Sequence, residues 1–159
     1  YIALVSGDLE QQSGRIVCNV VRNPNNRKVF MATEDENIGK FAATNYEVIK
    51  RYGYTTLVKC KLETGRTHQI RVHMKYIGHT LFGDYSYGGD QILAGTVYGK
   101  YKTFIENCWK LMPYHALHAQ SLGFIHPRTN EEMNFEMPLP DNFQQVIEKW
   151  ENYTKGFKL

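Results

Sequence analysis

At 159 residues, with 42% hydrophobic and 22% charged content, the chain suits one domain with its own core but is short for a large enzyme. A formal net charge of +3 is compatible with a nucleic-acid partner yet far from the charge density of proteins that bind by electrostatics alone. No stretch approaches the roughly 18 apolar residues that cross a bilayer and no secretory leader opens the chain, so a soluble, non-membrane protein is expected. Cys18, Cys60 and Cys108 are an odd number at wide spacing among apolar or β-branched neighbours. Buried, inert thiols in a reducing, cytoplasmic setting are therefore expected.

In chain order, residues 1–9, 15–21 and 28–33 are short apolar and β-branched runs separated by turn chemistry, Ser13-Gly14 and Asn23-Pro24-Asn25-Asn26. They predict an antiparallel meander. Residues 42–50 and 54–62 flank Tyr52-Gly53 and predict a hairpin. The period then changes, because Ile70, Met74 and Ile77 recur at helical spacing and Gly78 is placed to cap, which predicts a helix over about 67–77. His68, Arg71 and Lys75 form a cationic or titratable stripe on that helix, unless the stripe is simply a solvated face. Residues 81–99 are rich in Gly, Asp, Ser and Tyr and read as a long ordered loop, followed by helix near 101–111. Residues 117–125 and 132–137 predict a second hairpin around His126-Pro127-Arg128-Thr129-Asn130. After Pro138-Leu139-Pro140-Asp141 comes an amphipathic helix with Phe143, Val146, Ile147 and Trp150 inward.

The segment Leu62-Glu63-Thr64-Gly65-Arg66-Thr67-His68-Gln69-Ile70-Arg71-Val72-His73 closely resembles the third conserved motif of the RluA/RluD-type RNA pseudouridine synthases, which modify large-subunit ribosomal RNA. The resemblance continues in Gly78-His79, Gly83-Asp84, Tyr87-Gly88, Leu117-His118-Ala119, Phe124-Ile125-His126-Pro127 and Phe135-Glu136-Met137-Pro138-Leu139-Pro140. Upstream, Tyr1-Ile2-Ala3-Leu4-Val5-Ser6-Gly7 and Ala43-Thr44-Asn45-Tyr46-Glu47-Val48 also fit, so nearly the whole chain is covered in order. The resemblance implies an α+β fold, a mixed and mainly antiparallel sheet with flanking helices around a cleft.

In that family a catalytic Asp lies in a His-Arg-Leu-Asp segment before the region that starts at Tyr1. Neither that segment nor its Asp occurs in this sequence. Together with the absence of an initiator Met, this gives the expectation that residues 1–159 are the C-terminal portion of a pseudouridine synthase catalytic domain, inactive alone. The resemblance assigns Arg71 as the ionic partner of the absent Asp, a role that suits a permanently charged bidentate guanidinium. It assigns Tyr1 to stack on the target uracil and take the C5 proton, and Leu117 to line the pocket. Arg66, His68, His73 and Lys75 become phosphate or sugar contacts to the RNA. The local alternatives are Arg71 paired with Glu63 or capping a loop, Tyr1 as an ordinary strand tyrosine, and Leu117 as core.

A metal at His68 and His73 is not expected, because a spacing of five does not put two histidines on one helix face. Asp84 reads as a turn residue that bonds its own backbone. Two departures stand out: Thr80 where the family often has Pro, and Tyr114-His115 where it often has Arg-Gln. The function implied for the complete protein is isomerisation of uridine in structured RNA, with ribosomal RNA expected, and with no metal, nucleotide or redox cofactor. Two rival readings are a non-catalytic RNA-binding module of the same fold and a purely structural domain. The structural domain would lack RNA affinity and would bury Arg71 against a carboxylate of this chain.

Overall fold

The computed structural model describes residues 1–155. The first half contains strands β1 (Ile2–Ser6), β2 (Ser13–Val17), β3 (Asn19–Arg22), β4 (Phe30–Thr33), β5 (Ala43–Arg51) and β6 (Thr55–Leu62), followed by helix α1 (Gln69–Tyr76). A 3₁₀ turn (Tyr85–Tyr87) and helix α2 (Gly99–Leu111) lead to β7 (Leu117–His118), β8 (Ser121–Ile125), β9 (Glu132–Glu136) and helix α3 (Asp141–Tyr153). The fold is α+β, and all the described strand ladders are antiparallel.

The main sheet has the order β2-β5-β6-β1-β7, and β3-β4 and β8-β9 are separate two-stranded ribbons. Strand β1 occupies an inner position because Ile-Ala-Leu-Val-Ser has no side chain that needs water, and all of it is buried. Its alternate residues supply two cores. Ile2 and Leu4 pack with Tyr101, Ile105, Phe143, Val146 and Trp150 of α2 and α3. Ala3 and Val5 face the other way, onto Ile70 and Met74 of α1. Val72 joins a third cluster with Val20, Ala42 and Tyr87, over which the β3-β4 ribbon folds.

The expected hairpin around Tyr52-Gly53 is β5-β6, with a bulge between Val48 and Lys50. The expected meander does not form. β1 pairs with β6 and β7, β2 pairs with β5, and β3 pairs only with β4. A strand buried on both faces needs inner neighbours, and the 15–21 run breaks at Cys18, whose N–H bonds the Ala42 carbonyl at 3.1 Å. The 117–125 run also divides: Leu117 and His118 pair with Ala3 and Ile2, after which β8 leaves to pair with β9. Helix α1 is shorter than expected and ends as Gly78 requires. At φ 85 this glycine lets His79 N–H reach back to the Met74 carbonyl at 2.8 Å, closing the last turn. All of Cys18, Cys60 and Cys108 are free and buried, and burial pushes the Cys60 and Cys108 thiols up to about 12.

Candidate active site

The loop 64–68 and the start of α1 are fixed by one amide. Gln69 Oε1 accepts from Thr64 Oγ1 at 2.7 Å and Arg66 N–H at 3.0 Å, and its Nε2 donates to the Ala43 carbonyl at 3.0 Å and Thr44 Oγ1 at 2.9 Å. Thr44 in turn contacts His73 Nδ1 at 2.8 Å, and His73 Nε2 lies 2.8 Å from the Cys18 carbonyl. A carbonyl only accepts, so Nε2 carries the proton and Nδ1 accepts from the threonine hydroxyl. Every polar group in this buried chain is satisfied, and α1 is thereby registered against β5. His73 is fully buried and burial lowers its pKa. The RNA-contact role expected for His73 is therefore corrected: both of its nitrogens are spent inside the protein.

On the outer side of α1, Arg71 donates from Nε and Nη2 to the two carboxylate oxygens of Asp84, at 2.9 and 2.8 Å. Asp84 is 0% and Arg71 11% exposed, so this is a buried bidentate pair. Desolvation works against the guanidinium charge, but the Asp84 hydrogen bonds more than offset it and the pKa is raised. The turn carrying Asp84 is built for close approach. A Cβ on Gly89 would lie 2.0 Å from the Leu81 carbonyl oxygen, so only glycine fits there. Asp84 does shape this turn through its backbone, but its side chain makes no cap hydrogen bond and goes to Arg71 instead. The alternative pairing with Glu63 does not form, because Glu63 is held by Arg15 at 2.7 Å and by Asn45.

The stripe of His68, Arg71 and Lys75 converges on Tyr87. Arg71 and Lys75 lie over its ring at 4.9 and 5.9 Å, and His68 Nδ1 is 2.7 Å from its hydroxyl. That hydroxyl also accepts from Phe30 N–H at 2.9 Å, so it ties His68 and the start of β4 together. His68 adopts a left-handed backbone, φ 55, just before α1, and this presents its ring to Tyr87. Burial lowers the pKa of His68 and of His115, with the Arg71 charge adding to the effect, so the neutral ring is favoured in both.

Tyr1, Ala3 and Val5 alternate onto the sheet face that α1 covers, and the Ala3–Leu117 pairing puts Leu117 on the same face. Leu117 and α1 thus share one side of the sheet, while Arg71 lies on the outer side of α1 with Asp84 and Tyr87. Tyr1 is 39% exposed and lines a groove of about 910 Å³ with Leu62, Leu122 and Phe124, a different set from the Arg71 cluster. Arg66 is not among the cations at Tyr87: its Nε donates to the Phe41 carbonyl at 2.8 Å. Sequence reasoning missed the Asp84 pairing, Tyr87 as the hub, and His115 as a neighbour of the pair. The glycines on both sides of Asp84-Tyr85-Ser86-Tyr87 were the available signal, because they force the tight turn that brings Asp84 and Tyr87 to α1.

The family model described as RNA pseudouridylate synthase matches residues 1–76. An uncharacterised RNA pseudouridine synthase of Chlorobaculum parvum is 42% identical over 150 residues, 94% of this chain and 46% of the relative. The ribosomal large subunit pseudouridine synthase D of Nitrosomonas europaea is 36% identical over 152 residues, 96% of this chain and 40% of the relative. Human RNA pseudouridylate synthase domain containing 4 shares the fold at a TM-score of 0.66 and 19% identity, over 94% of this chain and 60% of that one. The scaffold is therefore that of a pseudouridylate synthase domain. The chain belongs to the RNA pseudouridine synthases of the RluA type, and it spans less than half the length of these two curated relatives.

Proposed function

We propose that the polypeptide carrying this segment isomerises uridine to pseudouridine in structured RNA, with ribosomal RNA as its substrate, and that a segment N-terminal to Tyr1 supplies the nucleophilic Asp. One observation supports this most directly: Arg71 is held in a fixed, largely buried position by Asp84 on helix α1, which packs on the same sheet face as Leu117 of β7. Asp84 occupies the Nε–Nη2 edge of Arg71, which leaves the Nη1 side of the fork for a second carboxylate. In the reaction the family carries out, the Asp attacks the flipped nucleoside and the N1–C1′ bond breaks. The freed uracil rotates, C5 bonds C1′ as the bond from C1′ to the Asp oxygen breaks and frees the carboxylate, and the C5 proton departs while N1 regains one. Tyr1 holds the base by stacking and accepts that proton, Leu117 closes the pocket, and Arg66, His68 and Lys75 meet the RNA backbone. No cofactor is needed, because the bonds exchanged all belong to the substrate.

A second reading has one observation in its favour. Arg71 is largely buried with a carboxylate partner inside this chain, as the purely structural domain would have it. Tritium release from RNA labelled at uridine C5 separates the two. The polypeptide extended upstream through an Asp motif is expected to release tritium from ribosomal RNA, and residues 1–159 alone are not. Turnover by residues 1–159 alone overturns the missing-nucleophile argument. Silence of both, with RNA affinity retained, favours the binding module; silence without affinity favours the structural domain.

A further inference from the structure

The 3₁₀ turn that buries Asp84 and Tyr87 does the opposite with the residues between them. Tyr85 is 65% exposed and Ser86 beside it is exposed too, although Asp84 and Tyr87 at the two ends of the turn are buried. Among the described residues the Tyr85 side chain makes no ring stack and no hydrogen bond. It is nevertheless held firmly. The turn is closed by Gly89 N–H to the Asp84 carbonyl at 2.6 Å, Tyr87 N–H to the same carbonyl at 3.1 Å, and Gly83 N–H to the Gly89 carbonyl at 2.8 Å. A ring with two torsions on a locked turn loses little freedom when something stacks on it, which is the arrangement that favours aromatic recognition.

The surroundings decide what stacks there. Arg71 lies near enough for the Tyr85 phenol to act on its charge, and Lys75 and His68 both contact Tyr87 in the same turn. The buried carboxylate of the turn, Asp84, is consumed by Arg71. An exposed electron-rich ring beside the Arg71 and Lys75 cations, with the buried acid already paired, matches an unpaired nucleobase attached to its phosphate better than an acidic or apolar peptide. Resting on the functional reading above, we propose that Tyr85 is a stacking platform for an unpaired base of the RNA that flanks the target uridine. It would therefore act on substrate affinity and on the preference for an unpaired neighbour, apart from the chemistry assigned to Tyr1 and Arg71.

The test uses the upstream-extended polypeptide with a stem-loop substrate, comparing Tyr85→Ala and Tyr85→Phe with the parent. Base stacking on an aromatic is worth about 1–3 kcal/mol, so Tyr85→Ala should raise the RNA Kd and KM by roughly 5- to 150-fold with kcat within about twofold. Tyr85→Phe should keep the parent affinity, because the face and not the hydroxyl is used. Abasic substitution at each nucleotide flanking the target should find one position where the parent weakens and Tyr85→Ala weakens no further. Equal Kd for Tyr85→Ala and parent, loss in kcat alone, or full additivity at every abasic position overturns the proposal. If the parent makes no pseudouridine while its binding still depends on Tyr85, the functional reading fails and the stacking platform stands.

Discussion

Asp84 sets its carboxylate in a place with no access to water, and the two hydrogen bonds from Arg71 are what make that tolerable. Replacing Asp84 by Asn keeps the volume but strands a guanidinium that is itself largely desolvated. The expected loss is about 3–5 kcal/mol, read as a lower urea midpoint with an unchanged slope. Asp84→Asn should also lower pseudouridine formation by the upstream-extended polypeptide, because the fork would lose the contact that sets its orientation. Arg71→Lys should do no better, since a point charge cannot match both carboxylate oxygens. The identity of Arg71 as the residue to watch was legible from its motif, whereas its partner was not. The two are 13 positions apart, across a loop with no periodicity, and only the folded turn brings them within 2.8 Å. His73 shows the converse limit. It sits in the same conserved-looking run as His68, but helical geometry turns it inward to Thr44 and Cys18, and spacing alone does not say which histidine finds a buried carbonyl.

Among the elements, the hairpins and helices were legible because hydrophobic period and turn residues specify them locally; the order of the strands was not. Pairing β1 with β6 and β7 depends on contacts far apart in the sequence, and a short apolar run such as Ile2–Ser6 gives no hint of its neighbours. The β8-β9 ribbon was recognised as a hairpin, yet its faces carry a consequence of their own. Leu122 pairs with Phe135 and Phe124 with Met133, which makes one face apolar, while Ser121, Gly123 and Ile125 oppose Glu136, Asn134 and Glu132 on the other. Leu122, Phe124 and Phe135 are exposed, and Phe124 stacks on Phe135 at 5.9 Å. A two-stranded ribbon with a bare apolar face is marginal in water. Residues 1–159 in isolation should therefore bind a hydrophobic dye and self-associate at high concentration. Leu122→Lys with Phe124→Ser should reduce both, as read by dye fluorescence and sedimentation. An unchanged association state would mean that this face is not the sticky one.

For the whole molecule, pH reports on the histidines. His68, His73 and His115 all have lowered pKa values, chiefly through burial. The unfolded chain takes up protons at these rings near pH 6.5, while the folded chain resists until the pH is lower. Their contribution is therefore complete above pH 6.5 and is lost as the pH falls through the folded values. Denaturation midpoints should be level from about pH 8 to 7 and decline toward pH 5. His73→Gln should lower the midpoint at pH 7.5 and flatten the decline; a decline unaltered in His73→Gln would exclude this histidine as a source.

Strand β1 is also a partition. The cluster behind it, with Trp150 and Phe143, and the cluster in front of it, with Ile70 and Met74, have no residue in common. Changes in packing behind the wall reach the Arg71 face only by displacing a strand clamped on both edges. Such a layout separates two kinds of evolutionary freedom. Substitutions in the α2-α3 layer can tune how robust the protein is while the front face keeps its shape, and, on the proposed function, variation at the front alters which RNA is accepted without rebuilding the support.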